Sequence, residues 1–208
     1  MSSHKGPVSL VLSGGGARAA YQVGVLKYFA EQTDHLPFQI ITGSSAGSLN
    51  AAVLAQHAPD FKQGVAHLEE IWTNLTTQQV YIAKALPLTW GLIKGLIQFL
   101  RAGKGRKLRQ RGLFDSSPLM DLITRNMDFE KLHNKLEEGH LRALAITATG
   151  YSMPFTTTFC SGNSLRAWIR PGRVGVPTRL GPLHLLASSS LPFLFPAVRI
   201  HEAYFGDG

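Results

Sequence analysis

The pattern of apolar positions predicts alternating strands and helices in the first quarter of the chain. Residues 8–12 form a short, largely apolar run, which is typical of a strand buried in a parallel sheet. A helix ending near residue 32 should follow, because apolar side chains recur there at helical spacing. Residues 38–42 are rich in β-branched and aromatic side chains and predict a second strand, and residues 48–54 predict a second helix. This order predicts a parallel, doubly wound α/β sheet.

The rest of the chain continues the mixture of helices and strands. Apolar spacing predicts helices at residues 61–75 and 183–190, and Ser117 followed by Pro118 is typical of a helix start. Further strands are expected at residues 141–149, 155–160, 197–200 and 204–205. The chain has 208 residues and no internal repeat, so we expect a single α/β domain over residues 1–208.

A five-residue motif lies on the turn between the second strand and the second helix. Residues 43–47 read Gly-Ser-Ser-Ala-Gly and fit the G-x-S-x-G pattern of a nucleophile elbow. Gly43 and Gly47 lack side chains that would crowd this tight turn, and the start of the following helix favours developing negative charge. We therefore expect Ser45 to be a nucleophile, and Ser44 to be a small turn residue in the free x position.

A glycine-rich segment follows the first strand and contains Gly14, Gly15, Gly16, Ala17 and Arg18. With Ala19 it fits the dinucleotide fingerprint G-x-G-x-x-G/A. That fingerprint also requires an acidic residue at the end of the second strand, whereas Asp34 precedes the strand. The alternative use is an oxyanion hole, because consecutive glycines can turn several backbone N–H groups toward one point. Arg18 would brace this loop or add positive potential.

Composition and cysteine content indicate the class of protein and the cellular compartment. At 44% hydrophobic and 16% charged residues, the chain resembles ordinary globular proteins. The single cysteine, Cys160, excludes an internal disulfide and has no metal-site spacing around it. The apolar run near the N-terminus is too short for a signal peptide. We therefore expect a cytoplasmic protein, with peripheral contact to a membrane as a further expectation.

The positive charge of the chain is concentrated in one segment. The net charge is +8, and residues 101–111 contain six basic residues and no acid: Arg101, Lys104, Arg106, Lys107, Arg109 and Arg111. Residues 80–100 are strongly apolar. This sequence predicts a helical cap or membrane-facing insertion at residues 80–112, and peripheral contact of residues 80–111 with an anionic membrane. Nucleic acid is not expected as a partner, because no aromatic residues alternate with the basic ones.

Three ordered motifs together resemble those of the patatin-like phospholipase family. They are the glycine loop at residues 14–19, the G-x-S-x-G motif at residues 43–47 and the final Asp207-Gly208. The resemblance implies a three-layer α/β/α fold with a mostly parallel central sheet. It also implies that lipid acyl esters are hydrolysed without a cofactor or metal, by Ser45 as nucleophile and Asp207 as base, with the glycine loop as oxyanion hole.

The chain departs from the family pattern at two places. Ala19 replaces the last glycine of the loop, a small change that a helix position tolerates well. The sequence stops at Gly208, inside the third motif, so we expect a truncated form of a longer domain.

The sequence leaves two other functions open. The chain order permits a Ser-Asp-His triad, in which Asp115 or Asp121 and His184 or His201 would assist Ser45. The second alternative is a non-catalytic module that binds a nucleotide or a membrane surface.

Overall fold

A mixed sheet of eight strands runs through the part of the protein that the structure describes. The computed structural model describes residues 6–33, 35–80, 114–152 and 155–208. The strands are β1 Ser9–Leu12, β2 Ile40–Ser44, β3 Ala143–Gly150, β4 Thr156–Gly162, β5 Trp168–Arg170, β6 Arg173–Pro177, β7 Val198–Ile200 and β8 Ala203–Gly206. Strands β1, β2, β3, β4, β6 and β5 lie side by side in that order, while β8 pairs with the end of β3 and β7 pairs with β8.

The first three strands form the parallel part of the sheet. β2 pairs in parallel with both β1 and β3, so the carboxyl ends of the three strands meet at one edge. β4 is antiparallel to β3, because the connection between them is too short for the crossover that a parallel pair requires. β4 and β6 are again parallel, and the remaining pairs are antiparallel. The sheet is therefore mixed, and the expected parallel order holds only for β1 to β3 and for β4 with β6.

Seven α-helices and one turn of 3₁₀ helix accompany these strands in the described ranges. The turn covers Gly16–Arg18. The α-helices are α1 Ala19–Gln32, α2 Ala46–His57, α3 Phe61–Asn74, α4 Thr77–Val80, α5 Ser117–Asn126, α6 Phe129–Glu137 and α7 Pro182–Ser188. α2 packs against β2 and also contacts α3 and α6, while α7 packs against β3.

Burial on both faces of the sheet confirms the three-layer α/β arrangement. Along β3, Leu144 and Ile146 point to one face and are fully buried. The intervening Ala143 and Ala145 point to the other face and are also buried. A strand that is buried on both faces needs helices on both sides of its sheet.

Most predicted elements lie within two residues of their observed bounds, and the exceptions have local causes. The second helix covers Ala46–His57 rather than residues 48–54, because it starts directly after Ser45, inside the G-x-S-x-G motif, and continues three residues further. Helices α4 and α6 and strands β5 and β6 were not predicted. For α6 a usable signal existed, since Asp128 caps the N-terminus by accepting the N–H of Lys131, and Leu132 and Leu136 are buried at helical spacing.

The expected insertion at residues 80–112 lies, apart from Val80, outside the described residues. Among the helices in the described ranges, none combines the length and the apolar character that crossing a bilayer requires.

Candidate active site

Ser45 occupies a strained turn between β2 and α2. Its backbone has φ 49° and ψ −132°, in the positive-φ region that L-residues rarely adopt. The flanking glycines make the turn possible: a Cβ added at Gly43 would lie 2.5 Å from the carbonyl oxygen of Gly47, and one added at Gly47 would overlap the carbonyl oxygen of Leu12. Ser45 is 7% exposed. The structure therefore contains the sharp strand-to-helix turn that the motif predicts.

Two serines hold the backbone of Ser45 in this conformation. The N–H of Ser45 donates to Oγ of Ser188 at 2.9 Å, and that hydroxyl donates to the carbonyl oxygen of Thr147 on β3 at 2.6 Å. The carbonyl oxygen of Ser45 accepts from the N–H of Ser48 at 2.9 Å and from its Oγ at 2.6 Å. The strained residue is thus tied both to the sheet and to its own helix. Sequence reasoning did not find Ser188.

Asp207 is held against the same segment of chain. Its N–H donates to the carbonyl oxygen of Ser190 at 2.8 Å, and the N–H of Gly208 donates to that of Ser188 at 3.3 Å. Burial raises the pKa of the Asp207 carboxyl, and the nearby hydroxyl of Ser45 lowers it in part. Oδ1 of Asp207 is buried and has no hydrogen-bond partner among the described residues. The Ser45 hydroxyl therefore lies near enough to the Asp207 carboxyl to affect its pKa.

The glycine loop lies directly beside Ser45. A Cβ added at Gly14 would lie 2.9 Å from Cβ of Ser45, so only glycine fits there. The N–H of Gly14 donates to Oγ of Ser44 at 3.2 Å, which gives Ser44 a contact with the loop that its predicted role as a simple turn residue did not include. Gly15 and Gly16 have φ values of 153° and 55°.

The next residues of the loop present unpaired backbone donors. Within the described part of the chain, the N–H groups of Gly15, Gly16 and Ala17 donate to no other group. Gly16 and Ala17 line the same cavity as Ser45. Arg18 closes the loop through its own N–H, which donates to the carbonyl oxygen of Gly15 at 3.2 Å, and its side chain is exposed. Backbone donors in this arrangement can stabilise an anion.

A chain of side-chain hydrogen bonds fixes the strand end that leads into the loop. Nε2 of Gln22 donates to the carbonyl oxygen of Ser13 at 2.8 Å, and Oε1 of Gln22 accepts from Nδ2 of Asn50 at 3.0 Å. Oδ1 of Asn50 accepts from Nε1 of Trp72 at 2.8 Å. Asn50 is fully buried. Sequence reasoning missed these residues, although an asparagine among the small and apolar residues of helix α2 was a signal.

An apolar cavity of about 610 Å³ opens beside Ser45. One face of α2 lines it, together with side chains of α3 and α5. Val53, Leu68 and Ile123 are almost fully buried in its lining, whereas Ala17 and Leu191, which also line it, are exposed. Such a cavity suits a hydrocarbon chain, since its lining is mostly apolar.

The structure does not bring the histidines of the alternative triad to Ser45. Nδ1 of His184 accepts from the N–H of Gly181 at 3.0 Å, and burial lowers the pKa of this imidazole. His201 is exposed in the turn between β7 and β8. Among the described residues, neither imidazole forms a hydrogen bond with Ser45 or Asp207.

The two acidic residues of the alternative triad are exposed, Asp115 just before helix α5 and Asp121 on it. Oδ1 of Asp115 accepts from the N–H of Ser117 at 2.9 Å and from its Oγ at 2.6 Å, at the start of that helix. Asp121 is exposed on α5.

The dinucleotide alternative also lacks its acidic residue, because β2 ends in Ser44 and is followed by Ser45.

Comparison with known proteins places these features in a family. The chain belongs to the patatin-like phospholipase family, whose sequence profile matches residues 10–208. A lysophospholipase, nte1 of Aspergillus terreus, is 49% identical over 51 residues, which are 24% of this chain and 3% of that protein.

Two solved structures are also similar. The crystal structure of VipD from Legionella pneumophila has a TM-score of 0.52 at 17% identity and covers 97% of this chain and 46% of that one. The type III effector protein ExoU has a TM-score of 0.46 at 19% identity, over 90% of this chain and 40% of that one. The similarity to VipD supports the fold, and the chain spans less than half the length of each of these three proteins.

The raised pKa of Asp207 predicts a gain in stability when its charge is removed. An aspartate in the unfolded chain titrates near pH ~3.9. Because the folded-state pKa lies above this value, the stability contributed by the protonated carboxyl is present below pH ~3.9 and is lost as the pH rises through the folded-state pKa. At neutral pH, Asp207→Asn should therefore unfold at a higher temperature than the wild type.

Thermal unfolding at several pH values between neutral and acidic measures this effect. The advantage of Asp207→Asn should shrink as the pH falls. Asp121→Asn, an exposed position on α5, is the control and should show no advantage at any pH. An Asp207→Asn protein that is less stable than the wild type at neutral pH would contradict the prediction.

Proposed function

We propose that this chain is a lipid acyl hydrolase in which Ser45 is the nucleophile and Asp207 is the general base. The observation that carries the proposal is that Ser188 and Ser190 hold the backbones of Ser45 and Asp207, so that the Ser45 hydroxyl lies near the Asp207 carboxyl beside an apolar cavity. Burial raises the pKa of Asp207, which makes its carboxylate a better proton acceptor than an exposed one. Membership of the patatin-like phospholipase family supports lipid esters as the substrate class.

The reaction would proceed through an acyl-enzyme. Asp207 takes the proton of the Ser45 hydroxyl while Oγ attacks the ester carbonyl carbon, and a tetrahedral intermediate forms. When the intermediate collapses, the carbon–oxygen bond to the alcohol breaks and the leaving alkoxide takes the proton from Asp207. A water molecule then gives a proton to Asp207 and attacks the acyl-enzyme, which releases the fatty acid and returns the proton to Ser45.

The glycine loop would stabilise the negative oxygen of each intermediate. Its unpaired N–H groups at Gly15, Gly16 and Ala17 lie on the loop that contacts Ser45, and Gly16 and Ala17 line the same cavity. Loss of one such donor typically costs about 10²-fold to 10³-fold in kcat. The exposed Arg18 side chain would add positive potential near the rim.

Two alanine substitutions test the role of the turn at residues 43–47. Ser45→Ala should abolish hydrolysis of an activated ester, because no nucleophile remains. Ser44→Ala should lower kcat but leave measurable activity, since it removes only the acceptor for the N–H of Gly14. The rates are measured on a p-nitrophenyl ester with the folded state checked by thermal unfolding. Substantial activity in Ser45→Ala would remove the proposal.

The choice between dyad and triad is tested in the same assay. His184→Ala and His201→Ala should keep most of the activity, whereas Asp207→Asn should have none. A folded His201→Ala or His184→Ala protein without activity would assign the mechanism to a triad.

A further prediction concerns the acyl chain. Val53 is a buried residue of the cavity lining, about 12 Å along α2 from Ser45 at a rise of about 1.5 Å per residue. Val53→Phe should shorten the space for the chain and exclude two or three methylene groups, each contributing about 0.8 kcal/mol. The ratio of kcat/KM for a dodecanoate ester to that for a butyrate ester should fall about tenfold or more.

The control for this prediction makes the same change outside the cavity. Val25 is partly exposed on α1, so Val25→Phe should leave the chain-length profile unchanged. Butyrate hydrolysis by Val53→Phe reports that the protein is folded. An unchanged dodecanoate preference in Val53→Phe would mean that the acyl chain binds elsewhere.

The sequence of residues 80–111 also supports peripheral contact with an anionic lipid surface. Six basic residues follow a strongly apolar stretch, and each basic residue near such a surface contributes about 1 kcal/mol. Binding to vesicles containing anionic lipid should exceed binding to neutral vesicles and should weaken with salt. Replacement of the six basic residues by glutamine should remove the difference. Equal, salt-insensitive binding to both vesicle types in co-sedimentation would contradict this part of the proposal.

A further inference from the structure

Three consecutive serines, Ser188 to Ser190, lie at the C-terminal end of helix α7, and the middle one differs from its neighbours. The hydroxyl of Ser188 bridges Ser45 and Thr147, and Oγ of Ser190 donates to the carbonyl oxygen of Leu186 at 2.7 Å. Oγ of Ser189 is buried and has no hydrogen-bond partner among the described residues. Ser189 is 8% exposed, and it lines the cavity that Ser45 lines.

An unpaired hydroxyl in this position is costly for the fold. Burying a polar group without a partner destabilises a protein, because the group loses its hydrogen bonds to water and gains none in return. Alanine would fill nearly the same volume and would avoid this cost. Because the position faces a cavity beside the nucleophile, a hydroxyl there has a use in binding what the cavity holds.

The backbone around Ser189 fixes the hydroxyl relative to both residues of the dyad. On one side, Ser188 accepts the N–H of Ser45, and on the other, the carbonyl oxygen of Ser190 accepts the N–H of Asp207. Ser189 is itself fixed, since its N–H donates to the carbonyl oxygen of Leu185 and its carbonyl oxygen accepts the N–H of Leu191, both at 3.1 Å. A group held this firmly beside Ser45 can contact the reacting end of a substrate.

We propose that the Ser189 hydroxyl binds the substrate ester by donating a hydrogen bond to its alkoxy oxygen. This assignment rests on the proposed function. An ester has two oxygens, and the loop N–H groups at Gly15, Gly16 and Ala17 serve the carbonyl oxygen. The alkoxy oxygen is the remaining acceptor, and its demand for a donor grows as the bond between carbon and this oxygen breaks. The contact therefore stabilises the transition state more than the bound substrate.

The three serines provide matched variants that separate a substrate contact from a structural role. Ser189→Ala should leave the unfolding temperature unchanged or raise it, because an unpaired buried hydroxyl is removed. The same variant should lower kcat/KM for a medium-chain glycerol ester about tenfold. Ser190→Ala should lower the unfolding temperature, because a buried hydrogen bond to Leu186 is lost.

The atom that Ser189 contacts is tested by exchanging sulfur for the alkoxy oxygen. Sulfur is a weak hydrogen-bond acceptor, so a thioglycerol ester with the same acyl chain gains little from a hydroxyl donor. Ser189→Ala should therefore lower kcat/KM much less for the thioester than for the oxygen ester. For the oxygen ester, the loss should lie mainly in kcat. Comparable losses on both substrates, or no loss on either, would overturn the assignment.

The proposed function and this assignment fail in different ways. A wild-type protein that hydrolyses neither substrate removes the proposed function, and the assignment of Ser189 with it. A wild-type protein that hydrolyses the ester while Ser189→Ala is fully active, or merely less stable in the way Ser190→Ala is, removes only the assignment.

Discussion

The backbone of Ser45 is the constraint on which the rest of the site depends. A non-glycine residue with φ 49° and ψ −132° lies in a sparsely populated region, and holding it there costs on the order of 1–3 kcal/mol. Its N–H and carbonyl groups are both fixed by serine side chains, and the flanking glycines are packed so closely that no side chain fits. The strain places Oγ at the carboxyl edge of the parallel strands. The turn at Ser45, the glycine loop and the C-terminal segment with Ser188 and Asp207 meet at that edge.

Burial of Asp207 also costs stability. It raises the pKa of the carboxyl, so the ionised form is less favourable in the folded protein than in an exposed aspartate. The nearby Ser45 hydroxyl offsets part of this effect. The backbones of Ser45 and Asp207 are hydrogen-bonded to Ser188 and Ser190, at the end of α7 and just after it. These bonds keep the two residues close in space although they are far apart in sequence. In the proposed mechanism, this anchoring would hold the carboxylate, which is a weak base, beside the nucleophile.

Much of the fold could be predicted from the sequence because its signals are local. The strand, turn and helix around residues 43–47 follow from hydrophobic pattern and from two glycines. The antiparallel pairing of β4 with β3 could not be read in this way, since it depends on the length of one connection and on which edge of the sheet was free. Strand β5 is only three residues long and all three are exposed, so it has no alternation of buried and exposed positions to read.

The site residues likewise fall into two groups, those with a local sequence signal and those without one. Ser45, Asp207 and the glycine loop stand in recognisable motifs, and the structure brings them together. Ser188, Ser189 and Gln22 were not found, because a serine or glutamine has no distinctive sequence pattern and acts here only through a partner far along the chain. The role of Ser44 changed for the same reason: its hydroxyl has a partner, the N–H of Gly14, that lies thirty residues away.

The cavity and the glycine loop share a common support. Trp72, a wall of the cavity, donates to Asn50, which donates to Gln22, which in turn donates to the carbonyl oxygen of Ser13 at the start of the loop. Breaking the contact between Trp72 and Asn50 would leave Oδ1 of the fully buried Asn50 without a partner, which costs more than an ordinary hydrogen bond gains. The arrangement explains why an asparagine is tolerated at this buried position of α2. The wall that would hold an acyl chain and the loop that would hold its oxyanion are thereby positioned by one set of hydrogen bonds.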